Sequence, residues 1–192
     1  MTEPSRPHVS LPQKVVEVHR ALADAQIDHA FGGALALAYY GEPRTTHDID
    51  LNVFVTAHRS KRALDALASV GVDTALDPAS RAALHRDEQA RVTWGRTPLD
   101  LFFSSVPLHR AMATATTSVP FGRSTIPILS AEHLVICKVA FDRRKDWLDI
   151  EQVLLVCDPL DVAEVTRWLD ELLGADDRRT RRFVKLAVEF GR

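Results

Sequence analysis

Asp48, Ile49 and Asp50 stand inside a strand pattern in the segment FGGALALAYYGEPRTTHDIDLNVFV, which runs from Phe31 to Val55. Strand side chains alternate faces, so Ile49, Leu51, Val53 and Val55 share the buried face and both carboxylates project together on the other. Two like charges held this close are costly unless a cation sits between them. An oxygen-only pair suits Mg²⁺, with Mn²⁺ as the alternative; Mg²⁺ takes one or two carboxylates, some waters and substrate phosphates. Upstream, Gly32-Gly33 opens an apolar helical run. Paired glycines let a backbone approach phosphate, and a following helix start offers unpaired N–H groups. Either feature alone has a plain structural reading, as a turn or as a solvated strand face. Their conjunction with Gly41 and the Arg44-Thr45-Thr46 turn points to a phosphate cradle beside a metal-binding pair, in an enzyme that handles a nucleoside triphosphate.

Two further positions join this set. In a strand pattern over residues 99–104, Leu99, Leu101 and Phe103 share one face, while Asp100 lies on the other with Phe102 and Ser104. This third carboxylate has the same relation to its strand as the first two have to theirs. Lys138 interrupts an apolar helical face formed by Leu134, Val135 and Phe141. Lysine is rarely buried alone. It is either a stem packed with its head in water or a cation aimed into a cleft, holding triphosphate oxygens as a point charge.

The elements that must position these groups are legible in outline. Residues 1–9 read as an unstructured lead. Ser10, Pro12 and Gln13 read as a helix start, followed by an apolar face up to about Gln26. A short strand (29–31), a helix (34–40) and the strand 47–55 follow, then an amphipathic helix over 58–70. Strand patterns at 91–95 and 99–104 suggest a hairpin, and those at 118–121 and 125–129 a second. The stretch 72–89 reads as acidic and irregular. From Ser130 the period becomes helical: to about Asp142, over 145–156, from Asp158-Pro159 to near Gly174, and from about Asp176 to Phe190. Asp146 and Asp149 fall one helical turn apart and share a side, either as site groups or as a solvated helix start. Arg178, Arg181, Arg182 and Lys185 form a basic stripe, suited to a phosphate backbone or simply to a surface helix.

Composition narrows the class. The 192 residues are 46% hydrophobic and 26% charged, with a net charge of −2. That profile is globular, and the net charge gives no global argument for nucleic-acid or membrane binding. No apolar run approaches a membrane span and the N-terminus lacks a signal-peptide core, so no membrane partner and a cytoplasmic location are expected. Cys137 and Cys157 read as reduced core thiols. The eight histidines show no metal-type pairing, and neither a P-loop nor a Gly-x-Ser-x-Gly elbow is present.

Gly32-Gly33, Arg44-Thr45-Thr46 and Asp48-Ile49-Asp50-Leu51 resemble the signature of the DNA polymerase β-type nucleotidyltransferase superfamily. Residues 129–134, Lys138 and the run Arg144-Lys145-Asp146-Trp147-Leu148-Asp149-Ile150 narrow the likeness to AbiEii-type nucleotidyltransferase toxins, which include the MenT toxins. The resemblance covers about residues 14–156. It implies an α+β, bilobed fold: an N-terminal mixed-sheet lobe with flanking helices (10–128) and a C-terminal helical lobe (129–192). Asp48, Asp50 and Asp100 would be metal ligands, with Asp100 placed to accept a proton from the attacking hydroxyl. Gly32, Gly33, Arg44, Thr46 and Lys138 would hold the nucleotide, and Asp146, or in its place Asp149, would face the cleft. The implied activity is transfer of nucleotides, pyrimidines favoured, from NTP to the 3′ acceptor end of tRNA, which blocks translation until a cognate antitoxin intervenes. A monomer is favoured. Thr46, two residues before Asp48, is also a position where phosphorylation would place negative charge beside the carboxylates. Two departures stand out: Ala34 supplies no hydroxyl after the glycine pair, and residues 72–89 match no substrate-binding element. Other expectations for the same residues are nucleotidyl transfer to a small molecule such as an antibiotic, or to a protein hydroxyl, and a non-catalytic nucleotide-binding module.

Overall fold

The computed structural model describes residues 9–192; all of the lead expected over residues 1–9 except Val9 lies outside them. In chain order the elements are α1 (Leu11–Asp24), β1 (His29–Phe31), α2 (Gly33–Leu37), β2 (Ile49–Val53), a 3-10 turn (Ala57–Arg59), α3 (Ser60–Ser69), α4 (Pro78–Asp87), β3 (Gln89–Trp94), β4 (Thr97–Phe103), α5 (Pro107–Thr114), β5 (Thr117–Phe121), β6 (Ser124–Ile128), α6 (Ala131–Phe141), α7 (Arg144–Val156), α8 (Val162–Leu173) and α9 (Arg178–Glu189). The fold is the expected α+β type: a mixed six-stranded sheet, ordered β3-β4-β2-β1-β6-β5, followed by four helices.

Local chemistry sets several boundaries. At the start of α1, Gln13 Oε1 accepts from the Ser10 amide at 2.9 Å, half of a capping box. Ser130 Oγ accepts from the His133 amide at 3.3 Å to open α6. Asp142 closes that helix in the left-handed region at φ 55°, so the chain turns sharply into α7.

Two segments correct the sequence reading. The stretch 72–89, irregular by its sequence pattern, contains α4, capped by Asp77, whose carboxylate accepts from the Ser80 amide at 2.7 Å. Its weak apolar pattern buries only Leu84, so periodicity did not reveal it. No helix was expected between residues 104 and 118, yet α5 forms there behind Pro107 and buries Leu108 and Met112 at i,i+4 spacing. Helix α2 is also shorter than expected, five residues ending at Leu37.

The central strands bury Ile49, Leu51, Val53, Leu99 and Leu101, each at most 1% exposed, on one face. One continuous apolar core runs from α1 through the sheet into α6–α9. Leu129 donates its amide to Phe31 at 3.0 Å, so the start of the helical half is bonded to the same ladder as the glycine pair. None of the described helices is long and apolar enough to cross a membrane.

Candidate active site

Strand β2 carries Asp50 on the face opposite Ile49 and Leu51, with Asp48 just before the strand. Strand β4 runs parallel to β2 with Asp50 directly opposite Asp100, and β3 runs antiparallel to β4 with Arg91 opposite Asp100. Side chains opposite one another on neighbouring strands lie within reach. Asp50, Asp100 and Arg91 therefore form one lateral row across three strands.

This row lines a cavity of about 360 Å³ between the sheet and α6. Gly32, Gly33, Arg44, Asp48, Asp50, Asp100 and Lys138 all border it. Its lining also includes the apolar side chains of Phe102, Leu108, Met112, Leu134 and Ile136.

The glycine pair serves the carboxylates first. Gly33 sits at φ 51°, and a Cβ there would fall 1.7 Å from Asp50 Oδ2. The Asp50 carboxylate thus lies against the bare Cα of Gly33, which explains why a glycine is needed. The Gly32 amide donates to the Asp50 carbonyl at 2.9 Å, continuing the β1–β2 pairing, so it is not free for a phosphate as expected. With α2 only five residues long, its dipole offers less to an anion than a full helix would.

Thr46 does not border the cavity itself; its hydroxyl donates to the Asp48 carboxylate that does. Burial alone would raise the Asp48 carboxyl, but the Thr46 hydroxyl, its own amide and the charges of Lys145 and Arg44 hold it below the usual range. Asp50 goes the other way. Burial, then the charges of Asp48 and Asp100, push its carboxyl up to about 6 against partial relief from Arg143 and Lys138.

The second half of the site is a set of ion pairs. Lys138 Nζ lies 2.6 Å from Asp149 Oδ2, and Arg44 Nη2 reaches the same oxygen at 3.3 Å. Asp149, not Asp146, is the partner of Lys138. Asp146 is fully buried and does not border the cavity; it accepts from Arg143 Nε at 2.6 Å and Nη2 at 3.0 Å. Arg91, Arg143 and Lys145 also border the cavity and are the site cations that the sequence reading missed. For Arg143 and Lys145 the signal was the basic run 143–145 at the left-handed turn between α6 and α7.

The basic stripe on α9 stands apart from the cavity. Arg178 pairs with Asp142, and the Arg182 guanidinium lies 3.9 Å from the Trp147 ring centroid, so both tie α9 to the α6–α7 corner. Arg181 and Lys185 lie exposed, 3.7 Å and 3.8 Å from Asp176 and Glu189.

The described residues contain no group of three His, Cys, Asp or Glu side chains placed to hold a metal ion. Both Asp100 oxygens are taken by Arg91, at 2.5 Å and 2.7 Å. Asp48 and Asp50 still fit a hard divalent ion: the donors are all oxygen, and Asp50 carries the repulsion that a cation would relieve. Water and phosphate oxygens would complete such a shell.

No protein-family model matches the sequence, and a search of curated proteins gives no match. Solved structures do match. The antibiotic-resistance factor ANT(2'')-Ia aligns at TM-score 0.53 and 14% identity, over 94% of this chain and 95% of that one. A structure of ANT(2")-Ia with adenylyl-2"-tobramycin aligns at TM-score 0.51 and 15% identity, over 94% and 96%. The lincosamide antibiotic adenylyltransferase LnuA, with lincomycin bound, aligns at TM-score 0.52 and 12% identity, over 76% and 96%. The chain has a nucleotidyltransferase fold; at these identities the likeness carries to the fold and no further.

Proposed function

We propose that this protein transfers a nucleotidyl group from a nucleoside triphosphate to an acceptor hydroxyl, and that the acceptor is the 3′ end of tRNA. The observation that carries the chemistry is the packing of Asp50 against Gly33, opposite Asp100 in the sheet, in a cavity whose other wall holds Arg44, Lys138, Arg143 and Lys145. The tRNA acceptor, the pyrimidine donor and a toxin held in check by an antitoxin rest on the likeness of residues 31–55 and 129–150 to AbiEii-type toxins.

Asp48 and Asp50 would hold Mg²⁺, which when bound supplies charge neutralisation and alignment of the phosphates. The protein's own cations do the rest. Lys145, for which no ion pair is found among the described residues, and Arg143 at the cavity edge meet the phosphate oxygens. Lys138 and Arg44, held by Asp149, add fixed positive charge to the same cavity. Asp100 stands beside Asp50 to take the proton of the incoming hydroxyl. Aligning donor and acceptor in one cleft supplies much of the acceleration expected for phosphoryl-type transfer.

A second reading keeps the chemistry and changes the acceptor to a small molecule. The similarity to ANT(2'')-Ia and LnuA favours it, as do the apolar side chains that share the cavity lining.

The test is to incubate the protein with total tRNA, Mg²⁺ and each labelled NTP in turn, alongside Asp48→Ala. Label on tRNA from one or two NTPs, absent with the variant, supports the tRNA reading. Label only on an added aminoglycoside or lincosamide supports the second. Near-normal activity of Asp48→Ala would falsify the metal role.

A further inference from the structure

Five Lys and Arg side chains border the cavity, and four of them already hold a carboxylate. Arg44, Lys138 and Arg143 take theirs from Asp149 and Asp146, which lie outside the cavity wall. Arg91 is different. Its partner, Asp100, is one of the cavity's own carboxylates, and the guanidinium covers both oxygens in a bidentate fork. Among the described residues it is the one cation that consumes a carboxylate of the site itself.

The placement is built into the hairpin. Arg91 and Asp100 face each other in the β3–β4 register, on the same row as Asp50. Strand β3 is the sheet edge, and the Arg91 side chain is 64% exposed against 21% for Asp100. A bidentate arginine–carboxylate pair is specific in geometry, yet at this exposure it is held weakly enough to exchange. Arg91 also borders the adjoining cavity of about 400 Å³, with Ser80, Asp87 and Gln89, so it has an open side to move into.

We propose that Arg91 is a built-in counter-ion for Asp100: it closes on both oxygens when the site holds no divalent ion, and it must leave before Asp100 can act as a ligand or proton acceptor. Arg91 is thus a positioning residue that sets how tightly the carboxylate row takes a metal. This rests on the nucleotidyl-transfer reading above.

The experiment is Mn²⁺ binding without nucleotide, followed by electron paramagnetic resonance, for wild type, Arg91→Gln, Asp100→Asn and the double variant. Removing the fork is expected to tighten Mn²⁺ binding about tenfold, the scale set by one charge at contact distance in a partly exposed site. That gain is expected to vanish in the Asp100→Asn background. A gain that persists there would mean that Arg91 acts only as a distant positive charge, and would overturn the proposal. Equal affinity for wild type and Arg91→Gln, with unchanged melting temperatures, would overturn it too and leave the nucleotidyl-transfer reading intact. If neither protein binds Mn²⁺ at millimolar concentration, the metal-dependent reading itself fails, and the role of Arg91 fails with it.

Discussion

Lys138 Nζ and Asp149 Oδ2 lie 2.6 Å apart, one turn of chain reversal away from each other on α6 and α7, and both side chains are nearly sealed from solvent. Of the two readings its sequence context offers, the head in water is excluded by this burial; Lys138 borders the cavity, but with a carboxylate already in hand. It is a buried charge with a dedicated counter-charge, shared with Arg44.

Asp149→Asn leaves that ammonium buried beside a neutral amide. Breaking one partner of a buried pair costs about 3–5 kcal/mol, because the remaining charge has lost its compensation. Urea unfolding should show a loss of that size, and Lys138→Met in the same chain should recover most of it. A loss below about 1 kcal/mol would mean that the lysine finds water, contrary to its burial.

Gly33→Ala should be among the most damaging single-methyl changes. The new Cβ would meet Asp50 Oδ2 at 1.7 Å, on a backbone already at φ 51°. Gly122→Ala is the control, since φ is 60° there but nothing lies within 4 Å. The control should cost about 1 kcal/mol through backbone strain alone. Gly33→Ala should cost roughly 2–4 kcal/mol and abolish transfer, because the carboxylate must move. Thermal melting of both variants, with activity read in parallel, separates the two.

The elements and the carboxylates were legible where local pattern carries the information. Alternation placed Asp48, Asp50 and Asp100 away from Ile49, Leu51 and Leu101, and the glycine pair marked its turn. What stayed hidden depends on register and tertiary pairing. Arg91 faces Asp100 because the hairpin turns on two residues, Gly95 and Arg96, with Trp94 opposite Thr97. The sequence reading drew a longer turn there, which leaves the register open. Asp50 faces Asp100 because β2 and β4 pair across an intervening hairpin strand and two helices, which no local pattern reveals. The choice between Asp146 and Asp149 was equally out of reach, since both sit on the buried side of α7 and only packing against α6 distinguishes them.

The α9 stripe divides into two functions that mutation can separate. Arg182 covers the Trp147 ring, so Arg182→Ala should cost about 0.5–1 kcal/mol in stability. Arg181→Ala and Lys185→Ala should each stay within about 0.5 kcal/mol of wild type. If the stripe meets an RNA backbone, that second pair should instead weaken tRNA binding and flatten its dependence on salt. Filter binding at several salt concentrations checks this; an unchanged salt slope would leave α9 a structural cap.

Asp50 makes metal-free stability depend on pH in a defined direction. Its folded carboxyl is raised to about 6 from 3.8, chiefly by burial and then by Asp48 and Asp100. Between those values the folded state binds the proton that the unfolded chain has released, so this group's contribution is full below about pH 4 and is lost as pH rises through 6. Burial lowers His29, His109 and His133, which act oppositely on acidification, so the wild-type curve alone mixes both signs. The difference between Asp50→Asn and wild type isolates the carboxylate. In EDTA the variant should match wild type near pH 4 and become more stable as pH rises, by roughly 3 kcal/mol at pH 7, the scale of a carboxyl raised from 3.8 to about 6. Mg²⁺ should then close the gap from the other side, raising the melting temperature of wild type and leaving Asp50→Asn where it was. A difference that is flat from pH 4 to 7 would show that Asp50 is not held in the repulsion which makes this row a cation site.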